Sequence, residues 1–222
     1  VCLVCACVVG IPSGIRADTV TATIPTGSYP GGVEFAPSGE FAYVTNYLDD
    51  TVSRVSTAAE TVTATIGVGS RPYDVEFMPS GSSAYIANLV AGSVQQIDPT
   101  SNSVIDSIGL SPGLVAIAMA PSGAFMYVTN YNGGFDRIDT ATNTVAISVP
   151  LPFNPLGARI SPDGRFALIA QNGTDTVSRI DTTTNAVTDT ITVGASPSGV
   201  AFSPDGSAAY ITNYGDGSVS KI

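Results

Sequence analysis

The tetrapeptide Tyr43-Val44-Thr45-Asn46 returns four times along the chain, as Tyr85-Ile86-Ala87-Asn88, Tyr127-Val128-Thr129-Asn130, Leu168-Ile169-Ala170-Gln171 and Tyr210-Ile211-Thr212-Asn213. The spacing is about 42 residues each time, so one unit is copied in tandem. Each copy also carries a Pro-Ser-Gly or Pro-Asp-Gly triplet, starting at Pro37, Pro79, Pro121, Pro162 and Pro204. Proline sets φ in such a triplet and glycine permits positive φ, so it turns the chain. A short apolar run precedes the triplet, as in 32–36 and 199–203. The tetrapeptide block after it is rich in β-branched and aromatic residues, which favour strands. A polar turn leads to a third run (51–55, 176–180), and a further turn leads to a fourth (144–149, 186–191). Four strand-like runs in a unit of this length make the blade of a β-propeller. No stretch shows a 3.6-residue period, so the chain is expected to be all-β, with four-stranded antiparallel blades and essentially no helix.

The ends bear on the blade count. Residues 18–26 read as a fourth strand with no first three before it, and residues 199–222 as three strands with no fourth after them. Together they make one unit, so the N-terminal strand 18–26 is expected to close the last blade in a five-bladed ring. Closure would remove two exposed sheet edges. The alternative is that the five copies belong to a larger ring.

Residues 1–17 stand apart from the repeat. They begin with an uncharged apolar stretch holding all three cysteines, Cys2, Cys5 and Cys7. The stretch is too short to span a bilayer and has the length of a signal-peptide core, with Ala17 as a cleavage position. Export is therefore expected, with a β-propeller domain at 18–222 and no membrane insertion after cleavage. A formal charge of −10 repels nucleic acid and anionic membrane surfaces.

The Tyr-Val-Thr-Asn blocks, the Ser-Pro-Asp-Gly turns at 161–164 and 203–206, and the Ile-Asp-Thr-x-Thr-Asn-x-Val segments at 138–145 and 180–187 resemble the YVTN-family β-propeller repeat. The likeness covers 18–222. It implies an exported protein, secreted, periplasmic or on the cell surface, of the kind found in surface layers. It also implies a ring that is typically seven-bladed, so the five copies here could be a piece of one. Lactonases of similar fold make an enzyme the alternative reading.

The chain has no histidine, which excludes a Ser-His-Asp triad, a Cys-His pair and a His-ligated metal or haem within it. Without cysteine beyond residue 7, thiol chemistry is excluded from the repeat region as well. No cofactor and no metal is expected. What remains is carboxylates, tyrosines and arginines, sought where copies depart from one another. Three residues before each turn proline stand Glu34, Glu76, Ala118, Arg159 and Ala201; five before it stand Gly32, Asp74, Ala116, Gly157 and Gly199. Glu34, Asp74, Glu76 and Arg159 are thus expected near the mouth of the central channel. Glu34 and Glu76 could act there as an acid–base pair beside Arg159, or Arg159 could simply neutralise them. Tyr29, Tyr47, Tyr73, Tyr131, Phe153 and Tyr214, with Arg71, fall in loops expected on one face. Tyrosine beside arginine suits contact with a protein or glycan at the cell surface. On the other reading, Tyr47, Tyr131 and Tyr214 are packing residues encoded by the repeat. Asp49, Asp50, Asp175 and Asp216 read as solvated turn carboxylates, and Asn172-Gly173-Thr174 is a glycosylation sequon.

Overall fold

The computed structural model describes residues 20–222 apart from residue 153, and these form 19 strands in five antiparallel sheets. The first sheet runs in chain order through β1 (Pro30–Phe35), β2 (Phe41–Asn46), β3 (Thr51–Ser56) and β4 (Thr61–Gly67). The second follows the same path through β5 (Pro72–Phe77), β6 (Ala84–Asn88), β7 (Ser93–Asp98) and β8 (Ser103–Gly109). The third comprises β9 (Leu114–Met119), β10 (Phe125–Asn130), β11 (Gly134–Asp139) and β12 (Thr144–Val149). The fourth comprises β13 (Pro155–Ile160), β14 (Phe166–Gln171), β15 (Thr176–Asp181) and β16 (Val187–Thr192). The last has three strands, β17 (Pro197–Phe202), β18 (Ala209–Asn213) and β19 (Ser218–Lys221). Helices are absent among the described residues, as the missing 3.6-residue period predicts.

The turns between first and second strands fold as their triplets dictate. Gly39, at φ 71°, donates its N–H to Ala36 O at 2.8 Å, and Ala36 N–H reaches Phe41 O at 2.9 Å. Gly81, Gly123, Gly164 and Gly206 repeat this geometry with φ between 70° and 73°.

The core lies between blades. Each of four apolar layers joins one blade's trailing face to the next blade's leading face. The tetrapeptide supplies most of this grip. Its tyrosine packs on the following blade, as Tyr43 does on Phe77 with ring centroids 5.0 Å apart. The hydroxyls of Tyr43, Tyr85 and Tyr127 then reach the amide oxygens of Asn102, Asn143 and Asn185, one blade on, at 3.5, 3.1 and 2.8 Å. Those asparagines hold φ of 51–58° in the turn between third and fourth strands, a conformation asparagine tolerates well. The third letter ties inner strands together: Thr45 donates to Tyr73 O at 3.3 Å and Thr129 to Leu156 O at 2.7 Å. The fourth letter closes its own turn, as when Asn46 Nδ2 donates to Thr51 Oγ1 and Ser53 Oγ at 3.0 and 2.9 Å.

The inner strands β1, β5, β9, β13 and β17 pack each on the next, which gives the propeller arrangement. Among the described residues, β17 does not pack on β1 in the same way. Phe35 on the first blade is 54% exposed and Tyr210 on the last is 44% exposed, whereas their counterparts Phe77 and Tyr85 are buried. The expected closing strand is not seen. Residues 20–26 carry no strand, and the fifth sheet ends at β19. Among the described residues β19 pairs with β18 alone, so no segment completes the fifth sheet as a fourth strand. The expected leader, 1–17, and the first two residues of the expected strand lie outside the described residues.

Candidate functional site

Loops entering the first strand of each blade share one face with the turns between second and third strands. Their backbone is fixed by a repeated bond: Tyr47, Leu89, Tyr131, Asn172 and Tyr214 donate N–H to the carbonyls of Tyr29, Arg71, Gly113, Asn154 and Ser196 at 2.9–3.1 Å. All five acceptor residues have positive φ, and four of them precede a proline. Glycine and asparagine enter this region at little cost, but Tyr29 at 58° and Arg71 at 55° do so against steric strain of about 1 kcal/mol or more. Side-chain carboxylates hold the strained loops. Arg71 N–H donates to Asp50 Oδ1 at 2.7 Å, Ser28 N–H to Asp49 Oδ2 at 2.6 Å, Ser196 N–H to Asp175 Oδ1 at 2.8 Å and Ala195 N–H to Asp216 Oδ2 at 2.9 Å. The turn aspartates expected to be merely solvated are therefore braces, and the Ser28 amide holds the Asp49 carboxyl below the usual range.

On this scaffold four predicted side chains come together. Tyr29 lies 5.8 Å from Tyr47 and Tyr47 lies 6.3 Å from Tyr73, centroid to centroid. The Arg71 guanidinium sits 5.1 Å from the Tyr47 ring centroid and donates to its hydroxyl at 3.0 Å. Tyr47 is the hub, and the packing reading would have set it aside. The useful signal is that the repeat does not require it, since this position is Leu89 in the second copy and Asn172 in the fourth. Tyr131 and Tyr214 are exposed, at 41% and 77%, and among the described residues neither makes a ring contact with the cluster. Phe153 lies outside the described residues. At the sequon, Asn172 Nδ2, the atom a glycan would need, donates to Pro197 O at 3.4 Å.

Below the loops, Glu34 on β1, Glu76 on β5 and Arg159 on β13 occupy one register position, opposite Tyr43, Tyr85 and Leu168 of their second strands. Burial pushes the Glu34 carboxyl up to about 7, against the pull of Arg159 and with the charge of Asp74 adding to the rise. Burial likewise takes Glu76 up to about 8, opposed by Arg159 and assisted by Glu34 and Asp74. The single guanidinium thus serves three carboxyls. Asp74 is also raised by burial, opposed by Arg159 and by the two backbone amides it accepts, Ile117 N at 2.8 Å and Val75 N at 3.0 Å. Arg159 Nη1 donates to Ala158 O at 2.9 Å and across to Ile117 O at 3.3 Å. Asp74 and Arg159 therefore brace the second and fourth blades to the same residue of β9. Asp74, one of the expected contact residues, belongs to this channel group rather than to the aromatic cluster. No three acidic, histidine or cysteine side chains among the described residues stand close enough to share a metal ion.

Fold and site together define a five-bladed β-propeller with an aromatic loop face above a charged channel. Among solved structures it is similar to a chain of Kuenenia stuttgartiensis hydrazine synthase, with a TM-score of 0.59 and 22% sequence identity over 93% of this chain and 87% of that one. At that identity the likeness speaks for the fold alone. No family model matches the chain. No curated protein matches it significantly.

Proposed function

We propose that this chain is an exported β-propeller of the YVTN-repeat kind that works as a binding or surface-structural module. Its partner, a protein or a glycan of the cell surface, is contacted through Tyr29, Tyr47, Tyr73 and Arg71. The observation that carries this is the cluster of tilted and edge-on tyrosine rings with Arg71, on a backbone held at positive φ by non-glycine residues. The third copy meets the same backbone requirement with Gly113, and the fourth with Asn154, so the fold asks for no aromatic or cation there. Tyrosine supplies large contact area at low entropy cost, and tyrosine and arginine are enriched where protein contacts are strongest. Secretion to the periplasm or cell surface follows from the repeat resemblance, and the charge of −10 keeps such a protein dispersed. The test is binding of purified cell-envelope glycan and protein fractions to the wild type and to a Tyr29→Ala/Tyr73→Ala variant. A loss of tenfold or more in one fraction, with an unchanged circular dichroism spectrum, supports the reading. Equal binding by both proteins refutes it.

One observation favours a second reading. Glu34 and Glu76, at about 7 and 8, are placed where general acid–base exchange near neutral pH is efficient. A hydrolase or lactonase would use them as proton donor and acceptor, with Arg159 orienting an oxygen of the substrate. Lactone hydrolysis that disappears in Glu34→Gln and in Glu76→Gln would establish it. Hydrolysis that survives both variants, or that is absent from the wild type, would remove it.

A further inference from the structure

The repeat lets one interblade contact be compared with the next. Between second and third blades, Asn143 is fully satisfied by the protein. Its Oδ1 accepts from Tyr85, and its Nδ2 donates to Gln96 Oε1 at 2.8 Å and to Asp106 Oδ2 at 2.7 Å. Gln96 and Asp106 face each other across β7 and β8. The matching pair between first and second blades, across β3 and β4, is Arg54 and Ala64. Both acceptors are gone there, one replaced by a cation and the other by a methyl group. Asn102 takes the place of Asn143, accepts only a long 3.5 Å bond from Tyr43, and finds no acceptor for its Nδ2 among the described residues. The corresponding pair in the third blade is Arg137 and Ile147, where a bulky side chain stands in place of Ala64.

A groove of about 470 Å³ opens at the first interface, lined by Ser38, Arg54, Ser80, Thr100 and Asn102. Arg54 is held in it by stacking on Phe41, 3.9 Å from the ring centroid, and by an Nη1 bond to Thr63 Oγ1 at 3.0 Å. Its Nε is buried without a hydrogen-bond partner among the described residues, as is that of Arg137, so the orphan comes with the Arg–Phe stack and what distinguishes the first interface is the open Asn102 amide. The nearby acid, Asp98, is engaged by Thr100 N–H at 2.8 Å and by the Ser101 hydroxyl at 3.0 Å. An Asn102 amide without an acceptor, beside a guanidinium that is fixed in place and bonded to the protein only through Thr63, describes a site for an anion.

We infer that this groove binds the carboxylate of a small ligand, whose oxygens take the place that the Asp106 carboxylate holds at the next interface. The site is built from the turns at 36–41 and 98–103, at the opposite end of the blades from the aromatic loops, and does not depend on the function proposed for them. Acetate is the probe, titrated into the ¹⁵N-labelled protein at constant ionic strength maintained with sodium chloride. The Asn102 side-chain amide and Arg54 Nε–H resonances should shift saturably, while the Asn143 side-chain amide stays still. Arg54→Gln should weaken binding at least tenfold. Ala64→Asp supplies the missing carboxylate from within and should abolish the response in a protein that remains folded. Shifts that fail to saturate, or that persist in Ala64→Asp, would overturn the assignment. Tighter binding of phosphate or sulfate than of acetate would overturn the choice of a carboxylate.

Discussion

Tyr85 and Tyr210 carry the same letter of the repeat in different surroundings. Tyr85 is fully buried with its hydroxyl on Asn143, while Tyr210 is 44% exposed. Tyr85→Phe deletes a bond and leaves a part-buried amide oxygen short of a donor, which costs about 1 kcal/mol. Tyr210→Phe should change stability by no more than about 0.5 kcal/mol. Urea-denaturation midpoints for the two variants give this contrast directly; equal losses would show that the fifth blade is as well covered as the second. The tyrosine itself was legible in the sequence because it recurs. Its partner was not, because it lies 58 residues further on and belongs to a different blade. The repeat also hid the role of Asp50 and Asp175: a turn acid that accepts from a strained loop amide reads in sequence like any solvated one.

The inner strands carry the charge pattern, and there the departures from the repeat were the useful signal. Glu34, Asp74, Glu76 and Arg159 were singled out for breaking it, and all four share one electrostatic environment. Their pKa values could not be read from sequence, since burial sets them. Both glutamates have folded-state values above those of the unfolded chain. Below about pH 4.5 both states are protonated and the groups contribute nothing to the difference. Between 4.5 and about 7–8 the folded protein keeps protons that the unfolded chain has lost, so stability falls as pH rises through this window. The Glu34→Gln/Glu76→Gln variant should therefore gain about 1–2 kcal/mol over the wild type at pH 8.5, a figure reduced for partial exposure to channel water. At pH 4 it should gain almost nothing. Paired melting curves at the two pH values test this; a variant equally displaced at both would show that the glutamates are not buried enough to resist ionising.

At the scale of the molecule, stability accumulates from blade-to-blade contacts, each made by the same few letters. The blades could be anticipated because the letters repeat. Closure could not, because it depends on the angle between neighbouring blades, which no single copy encodes. The same architecture separates scaffold from surface: letters common to all copies hold the blades, and residues peculiar to one copy are free to make contacts. Tyr29, Tyr73 and Arg71 are such residues, gathered on the exposed loop face around Tyr47. The most direct test is amide hydrogen exchange of the protein bound to the envelope fraction that retains it. Protection should appear in 27–30, 47–50 and 69–73, with the turns at 36–41 and 57–60 unchanged. Protection confined to those opposite turns, or spread evenly over both ends of the blades, would contradict a contact face built on the aromatic loops.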